Sequence, residues 1–124
     1  MKLLLDTHVF LWWRLSSRRL KRDARQAIVD ADVVWVSAAS AWEIAIKQGL
    51  GRIRLDDPFS ALVADSLFTE LPVTMRHTER LSAIPAHHTD PFDRMLVAQA
   101  ATEGATLVTH DRQFEGYGVP VVWT

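Results

Sequence analysis

The chain has 124 residues, a net charge of −1 and a mean hydropathy close to zero (+0.01). Its apolar fraction of 48% is too high for a disordered chain, while the mean hydropathy is too low for a membrane protein. The absence of cysteine excludes a disulfide scaffold, a Cys-based zinc site and a thiol nucleophile. We therefore expect one soluble domain over residues 1–124, without a membrane segment, in a reducing compartment such as the cytoplasm.

Five short apolar runs predict buried strands. In chain order they are Lys2–Asp6, Val33–Val36, Leu71–Val73, Ala105–Thr109 and Val119–Trp123. Because the runs are continuous rather than alternating, they indicate strands buried on both faces, as in a parallel sheet. Pro72 makes the third run a weak or edge strand, since proline cannot donate a hydrogen bond to a neighbouring strand.

Helical patterns lie between these runs. Beyond the Thr7–Arg14 segment, the apolar spacing predicts helices over Ser17–Ala31 (with Ser17 as cap), Ala38–Leu50, Pro58–Phe68, Met75–Ile84 and from Asp90-Pro91 to Gly104. The alternation of strands and helices predicts an α/β fold, a three-layer α/β/α sandwich around a central, mainly parallel sheet of four or five strands.

Four carboxylates are expected at one edge of this sheet. Asp6 ends the first strand, Glu43 follows the second, Asp93 lies in the first turn of the helix before the fourth, and Asp111 lies just after the fourth. Parallel sheets bind ligands beyond the carboxyl ends of their strands, so the four acids can converge there. Clustered carboxylates repel one another, and a hard divalent cation such as Mg²⁺ or Mn²⁺ relieves that repulsion.

Each acid also has an ordinary structural interpretation. Asp6 and Asp111 each follow a strand, where an aspartate commonly begins a turn or caps a short helix. Glu43 can form a solvent-side pair with Lys47, one helical turn later. Asp93 stands three residues after another aspartate, a spacing that resembles a capping box.

Taken together, these segments resemble the PIN-domain ribonucleases, and most closely the VapC-type toxins of toxin–antitoxin pairs. The resemblance rests on Leu3–His8 (LLLDTH), Ser37–Lys47 (SAASAWEIAIK), Gly51–Leu55, His87–Ala100 (HHTDPFDRMLVAQA) and Leu107–Phe114 (LVTHDRQF). The most specific signal is the His-x-x-Asp-Pro-Phe-Asp-Arg segment, which comes in the expected order after the Trp-Glu element. The resemblance as a whole implies a single PIN-like domain over nearly the whole chain.

The resemblance assigns the family's acidic quartet to Asp6, Glu43, Asp93 and Asp111 and leaves Asp90 as a helix cap. It implies an endoribonuclease that depends on Mg²⁺ or Mn²⁺ and acts as the toxin of a toxin–antitoxin pair. The quartet would hold one or two metal ions, and a metal-activated water would cleave the RNA to leave 5′-phosphate and 3′-hydroxyl ends. The partners that it implies are a cognate antitoxin, an RNA substrate and a second copy of the chain in a homodimer.

Three further residues are candidates for substrate contacts. Thr109 could orient Asp111 or a bound water, and Arg94 and Arg112, which each follow a quartet acid, could contact the scissile phosphate. Residues 14–25 carry six cations and one acid, either as an RNA-guiding surface or as a solvated helix face. His87 is expected to make a hydrogen bond that stabilises a loop rather than to bind a metal.

Two tryptophans and one segment point to protein partners. Trp12 and Trp13 are consecutive, so on a helix they are not expected to face the same core, and one of them is a candidate for a dimer or partner interface. The helical segment Leu50–Phe68 is a candidate for a groove that binds the antitoxin helix.

Other functions remain as alternatives. The main one is a catalytically silent PIN-like module that only binds RNA or a protein, and a second is a metal-free ribonuclease that uses histidine. A receiver domain is excluded because no lysine follows Lys47, and a haloacid-dehalogenase-type phosphatase is excluded because Asp6-Thr7-His8 lacks the second acid of its motif.

Overall fold

A computed structural model describes residues 1–124, which form five strands and six helices. The strands are β1 (Lys2–Leu5), β2 (Val33–Ser37), β3 (Thr69–Leu71), β4 (Thr106–Thr109) and β5 (Val121–Trp123). The helices are α1 (Thr7–Arg14), α2 (Arg22–Asp30), α3 (Ala38–Gly49), α4 (Phe59–Asp65), α5 (Met75–Arg80) and α6 (Pro91–Glu103), with 3₁₀ turns at Leu81–Ala83 and Arg112–Phe114. None of the helices has the length and apolar character needed to cross a membrane.

The five strands form one sheet in the order β3-β2-β1-β4-β5, and every neighbouring pair is parallel. The chain builds the sheet outward from β1 to β3 on one side and then adds β4 and β5 on the other. The strand order therefore reverses beside β1, and the carboxyl ends of β1 and β4 lie next to each other at this switch point. Sheets of this kind bind ligands at such a crevice. The prediction of a parallel sheet is confirmed.

Helices cover both faces of the sheet, as the three-layer prediction requires. Leu3, Leu4 and Leu5 of β1 are all fully buried, because successive side chains of the strand point to opposite faces. One core cluster packs α1, α2 and α4 against the face that holds Leu3 and Leu5, with Phe10 at its centre. The other packs α6 and Phe114 against the face that holds Leu4. This arrangement explains why β1 is continuously apolar.

The second helix begins later than its apolar pattern indicates. The predicted helix starts at Ser17, but α2 starts at Arg22. The Thr124 hydroxyl accepts a hydrogen bond from the Lys21 amide (2.8 Å) and donates one to the Arg19 carbonyl (2.9 Å). These contacts with the last residue of the chain hold residues 19–21 in a non-helical conformation. Ser17 is therefore not the cap of α2.

Smaller differences occur at the edge of the sheet. Strand β3 ends at Leu71 and lies two residues before its predicted position, because Pro72 cannot donate the next hydrogen bond. It is an edge strand, as predicted. The predicted helix over Pro58–Phe68 is shorter, and beyond it Leu67 adopts a left-handed conformation (φ 61°).

Helix α6 begins and ends as predicted. The Asp90 carboxylate accepts hydrogen bonds from the amides of Phe92 (2.8 Å) and Asp93 (3.1 Å), and Pro91 is the first helical residue. Gly104 ends the helix in the left-handed conformation (φ 67°), which glycine adopts without steric cost. Because Asp90 caps the helix, the carboxylate of Asp93 in the first turn stays available for other contacts.

The two consecutive tryptophans both pack against the core, contrary to the prediction. Trp12 and Trp13 are half-buried at the edge of the cluster that contains Phe10. They leave α1 in different directions, because Trp13 contacts Phe68 (5.5 Å between ring centroids) and Trp12 contacts His110 (5.6 Å). Trp12 therefore points towards the carboxyl ends of the strands.

Candidate active site

All four acids of the quartet line one cavity of about 360 Å³ at the carboxyl ends of the strands. Four separate elements position them, since Asp6 follows β1, Glu43 lies on α3, Asp93 lies in the first turn of α6 and Asp111 lies beyond β4. We call this space the acidic cavity, and its remaining lining residues are His8, Ile46, Lys47, Leu50, Arg52, Asp90 and Phe92. The fold thus brings together the carboxylates that the sequence singled out.

Asp6 is buried at the centre of this arrangement. It makes no side-chain hydrogen bond that caps α1. The Thr109 hydroxyl donates a hydrogen bond to an Asp6 carboxylate oxygen (2.8 Å) and accepts one from the Asp111 amide (3.0 Å). Burial raises the pKa of Asp6, although the bond from Thr109 and the proximity of His8 lower it.

Asp93 contacts His88, which sequence reasoning left without a role. The ring Nε2 of His88 lies 2.7 Å from an Asp93 oxygen, and the ring Nδ1 is buried without a hydrogen-bond partner. Burial, together with the nearby charges of Asp6 and Asp90, raises the pKa of Asp93 to about 7, against the lowering effect of His88. In the absence of a cation, ionising Asp93 is therefore harder in the folded protein than in water.

Glu43 pairs with Lys47 (3.3 Å), but this pair does not face solvent as the sequence suggested. Both residues line the acidic cavity, and the Glu43 side chain is only 13% exposed. Ser40, one turn earlier on α3, is buried and accepts a hydrogen bond from the Thr7 hydroxyl (2.7 Å). This contact joins α3 to α1 and turns the polar face of α3 towards the sheet edge.

Asp111 makes a structural hydrogen bond and also lines the acidic cavity. One of its oxygens accepts a hydrogen bond from the Gln113 amide (2.9 Å), so it caps the 3₁₀ turn as one interpretation of the sequence predicted. Ligand atoms of His88, Asp93 and Asp111 all lie within 4.8 Å of one another. Carboxylate oxygens with one imidazole nitrogen suit divalent ions such as Mn²⁺, and carboxylates with water suit Mg²⁺. The donor set therefore fits a divalent cation.

Only one of the two candidate arginines faces the carboxylates. The Arg94 guanidinium donates to the carbonyl of Pro85 (2.8 Å) and lies 3.4–3.5 Å from three further carbonyls of residues 81–88. Arg94 thus holds this loop rather than pointing at a substrate. Arg112 is exposed, pairs with Glu115 (3.2 Å) and lines a second cavity that also contains Asp6.

His87 makes the loop contact that the sequence predicted. Its Nε2 donates a hydrogen bond to the Glu115 carbonyl (3.0 Å), and its ring stacks on Tyr117 (4.1 Å between centroids). The neighbouring residue, His88, is the one that contacts an acid of the quartet, Asp93. Its position five residues before Asp93 is one signal by which the sequence could have identified it.

We expect the Thr109→Val protein to lose stability and activity, because valine has the shape of threonine without the hydroxyl. The Asp6 carboxylate and the Asp111 amide would each lose a hydrogen bond, at a cost of about 1–3 kcal/mol in the free energy of unfolding. Urea denaturation measures this loss, and Thr109→Ser, which keeps the hydroxyl, is the matched control. Equal stability of the two variants would show that these hydrogen bonds contribute little.

Known proteins are similar to this chain in sequence and in fold. The PIN domain family matches residues 3–119. Ribonuclease VapC22 of Mycobacterium tuberculosis is 35% identical over 127 aligned positions, which cover 97% of each chain.

Among solved structures, VapBC2 from Rickettsia felis bound to a promoter DNA fragment has a TM-score of 0.72, with 13% identity over 98% of both chains. DNA-bound VapBC from Salmonella typhimurium has a TM-score of 0.68, with 17% identity over 98% of this chain and 97% of that one. Fold and cavity together define an α/β domain with a carboxylate-lined cleft at its switch point. This chain belongs to the PIN domain family.

Proposed function

We propose that this protein is an endoribonuclease that depends on Mg²⁺ or Mn²⁺ and acts as the toxin of a toxin–antitoxin pair. The observation that carries the proposal is the convergence of four acids from four distant segments on one cavity. A relative that is 35% identical over 97% of the chain is named a ribonuclease, which supports the same substrate class.

The quartet supplies the oxygen ligands for the divalent cation, with Asp93 and Asp111 close enough to share one ion. When bound, the cation acts as a Lewis acid, lowers the pKa of the attacking water and offsets charge on the leaving oxygen. It also stabilises the ionised forms of the clustered acids. The raised pKa values of Asp6 and Asp93 support this role, because burial disfavours their ionised forms when no cation is present and the charges of neighbouring acids add to this effect.

The neighbouring side chains orient the acids and adjust their charge. Thr109 holds Asp6 through its hydroxyl, and His88 holds Asp93 through Nε2. Lys47 is paired with Glu43 and reduces the local negative charge on that side of the cavity. Such contacts around metal ligands typically contribute 10- to 100-fold in metal affinity or activity.

A catalytically silent binding module is the second candidate, and the electrostatics of the cavity disfavour it. Raising the pKa of a buried carboxyl group costs folding free energy, and simple binding of RNA or a protein does not require this cost. RNA is a polyanion, and four uncompensated carboxylates would repel it. A metal-dependent hydrolase accounts for both features.

Removal of the metal tests the function directly. We expect the purified protein to cut total RNA at discrete positions in Mg²⁺ or Mn²⁺, with 5′-phosphate and 3′-hydroxyl ends, and to lose this activity in EDTA. Restoring the metal should restore cleavage, which distinguishes chelation from irreversible unfolding. Undiminished cleavage in EDTA would contradict the metal mechanism and favour a ribonuclease that uses histidine.

An antitoxin is the proposed protein partner, and VapBC complexes among the structural neighbours support it. The groove considered for Leu50–Phe68 has a counterpart in an apolar cavity of about 280 Å³ between α4 and the sheet edge, lined by Phe59, Val63 and Phe68 among others. An amphipathic helix can place its apolar side chains in such a groove. We infer that this cavity receives part of the antitoxin and that the complex forms in the cytoplasm.

We further propose that the chain forms a homodimer through an exposed apolar stripe along α3 and the residue that follows it. Trp42, Ile46 and Leu50 follow one another at four-residue spacing and are 64%, 42% and 61% exposed. Solvent-exposed apolar stripes of this kind commonly mark protein interfaces. Light scattering should give a dimeric mass for the wild type and a monomeric mass for Trp42→Glu, and a monomeric wild type would contradict the proposal.

A further inference from the structure

A second cavity of about 450 Å³ adjoins the acidic cavity and opens beside Trp12. The two cavities share Asp6, His8 and Asp111, so they border each other at the quartet, and we call the two together the trough. We call the second space the side cavity, and its other lining residues are Trp12, Arg19, His110 and Arg112. The acids therefore lie where the two cavities meet, and the side cavity is otherwise lined by aromatic rings and arginines.

The side cavity combines an aromatic surface with cations. The indole of Trp12 lies beside the rings of His8 (6.4 Å between centroids) and His110 (5.6 Å). The Arg19 guanidinium lies 5.9 Å from the Trp12 ring. Arg112 lies 4.3 Å from another indole ring, that of Trp123.

Among the cations of residues 14–25, Arg19 is the one that lines this trough. Arg14 is paired with Asp65 (2.8 Å), on the side of α1 that faces α4. Arg25 lies over Trp13 and donates to the Ser17 carbonyl (3.4 Å). Two of the six cations of this run thus make structural contacts and one lies at the trough, while Arg18, Lys21 and Arg22 are exposed.

We propose that the side cavity is a nucleotide subsite, which holds an unpaired nucleotide of the RNA next to the scissile phosphate. The base stacks on Trp12, and Arg19 and Arg112 bind the adjoining phosphates. This inference rests on the proposed function. Unpaired bases commonly stack on aromatic side chains, while arginine guanidinium groups bind phosphate oxygens.

The charge distribution favours a single strand of RNA over other occupants. The quartet repels phosphates at the centre of the trough until a cation is bound, so the flanking phosphates need positive charge nearby. Arg19 and Arg112 supply it at the side cavity, and Lys47 and Arg52 line the acidic cavity on the other side. A base pair would leave no single base free to stack on Trp12, so the nucleotide has to be unpaired.

The test measures RNA binding without cleavage. In the wild-type protein with Mg²⁺ present, fluorescence anisotropy follows a labelled single-stranded RNA of mixed sequence, made with linkages that resist hydrolysis, and the duplex of the same sequence. We expect Arg19→Gln and Arg112→Gln to weaken single-strand binding about fivefold each and to reduce its salt dependence. Arg76→Gln and Arg80→Gln, whose side chains line neither cavity, are the matched controls and should bind as the wild type does.

Trp12 is tested in the same assay. Trp12→Leu should weaken single-strand binding about tenfold or more, and Trp12→Phe, which keeps an aromatic face, should recover most of it. Thermal melting establishes that each variant is folded, and the two arginine variants keep the test valid if Trp12→Leu is not. When cleavage of an ordinary RNA is measured instead, the same substitutions should raise KM more than they lower kcat.

Three results would overturn the subsite. The first is equal binding by the Arg19, Arg112 and control variants, and the second is equal losses on the duplex and the single strand. The third is no binding of the hydrolysis-resistant single strand by a wild type that cuts the ordinary RNA with metal. None of these three results would contradict the proposed function. Failure of the wild type to cut any RNA with metal would instead refute the proposed function.

Discussion

The Asp93→Asn protein is expected to cut RNA about 10³-fold more slowly than the wild type, or not at all. A bound cation contributes several kcal/mol of transition-state stabilisation, and about 4 kcal/mol corresponds to three orders of magnitude in rate. Asparagine keeps the size of the side chain and can still accept a hydrogen bond from His88, but it removes the negative charge that binds the cation. Single-turnover cleavage of the identified RNA substrate measures the effect.

Asp23→Asn is the matched control for this change, because it removes an exposed aspartate from α2. Its cleavage rate should equal that of the wild type. Circular dichroism and thermal melting should show that both variants are folded. Cleavage by folded Asp93→Asn at the rate of the wild type would refute the assignment of the acidic cavity as the active site.

The same substitution should make the metal-free protein more stable at neutral and alkaline pH. Because burial and nearby acids raise the pKa of Asp93 to about 7, the folded state binds more protons than the unfolded state between about pH 4 and pH 7. The stability of the wild type in EDTA therefore falls as pH rises through this range. Asparagine has no such dependence, so its advantage should grow by on the order of 2 kcal/mol between pH 5 and pH 8.

Urea denaturation of both proteins in EDTA at pH 5, 6.5 and 8 measures this change. Adding Mg²⁺ at pH 8 should stabilise the wild type more than Asp93→Asn, since a ligand that binds only the folded state adds to stability. A constant difference between the two proteins at all three pH values would contradict the raised pKa. Equal stabilisation by Mg²⁺ would show that Asp93 is not a ligand.

The fold could be predicted because its signals are local. The continuous apolar sequence of β1 indicates a strand buried on both faces, and the Asp90-Pro91 start and Gly104 end define α6. The start of α2 could not be predicted from Ser17 in this way. It depends on hydrogen bonds to Thr124 at the other end of the chain, and a local pattern contains no information about them.

The four acids could be predicted to converge for a similar reason. Parallel topology alone brings the carboxyl ends of neighbouring strands together, so the chain position of each acid indicates its place at the sheet edge. The surrounding contacts follow from packing instead. Whether Glu43 and Lys47 face solvent depends on how α3 is rotated, and whether Arg94 is free depends on the path of residues 81–88.

The buried polar contacts behind the site also could not be predicted from the sequence pattern. His77 is fully buried, contacts Glu103 through Nε2 (2.8 Å) and accepts a hydrogen bond from the Thr74 amide through Nδ1 (3.0 Å). Gln99 of α6 lies beside it and donates to the Pro72 carbonyl (3.2 Å). These residues come from two separate segments, residues 72–77 and helix α6, and only the assembled fold shows that they satisfy one another.

The most direct test of the central claim measures metal binding and RNA cleavage on the same preparations of wild type, Asp6→Asn and Asp93→Asn. Calorimetric titration with Mn²⁺ gives the affinity, and cleavage of the same RNA gives the activity. We predict that the wild type binds Mn²⁺ and cuts RNA, and that both folded variants lose the two properties together. Cleavage that persists in a variant that no longer binds the metal would contradict the claim that these acids act by holding a cation.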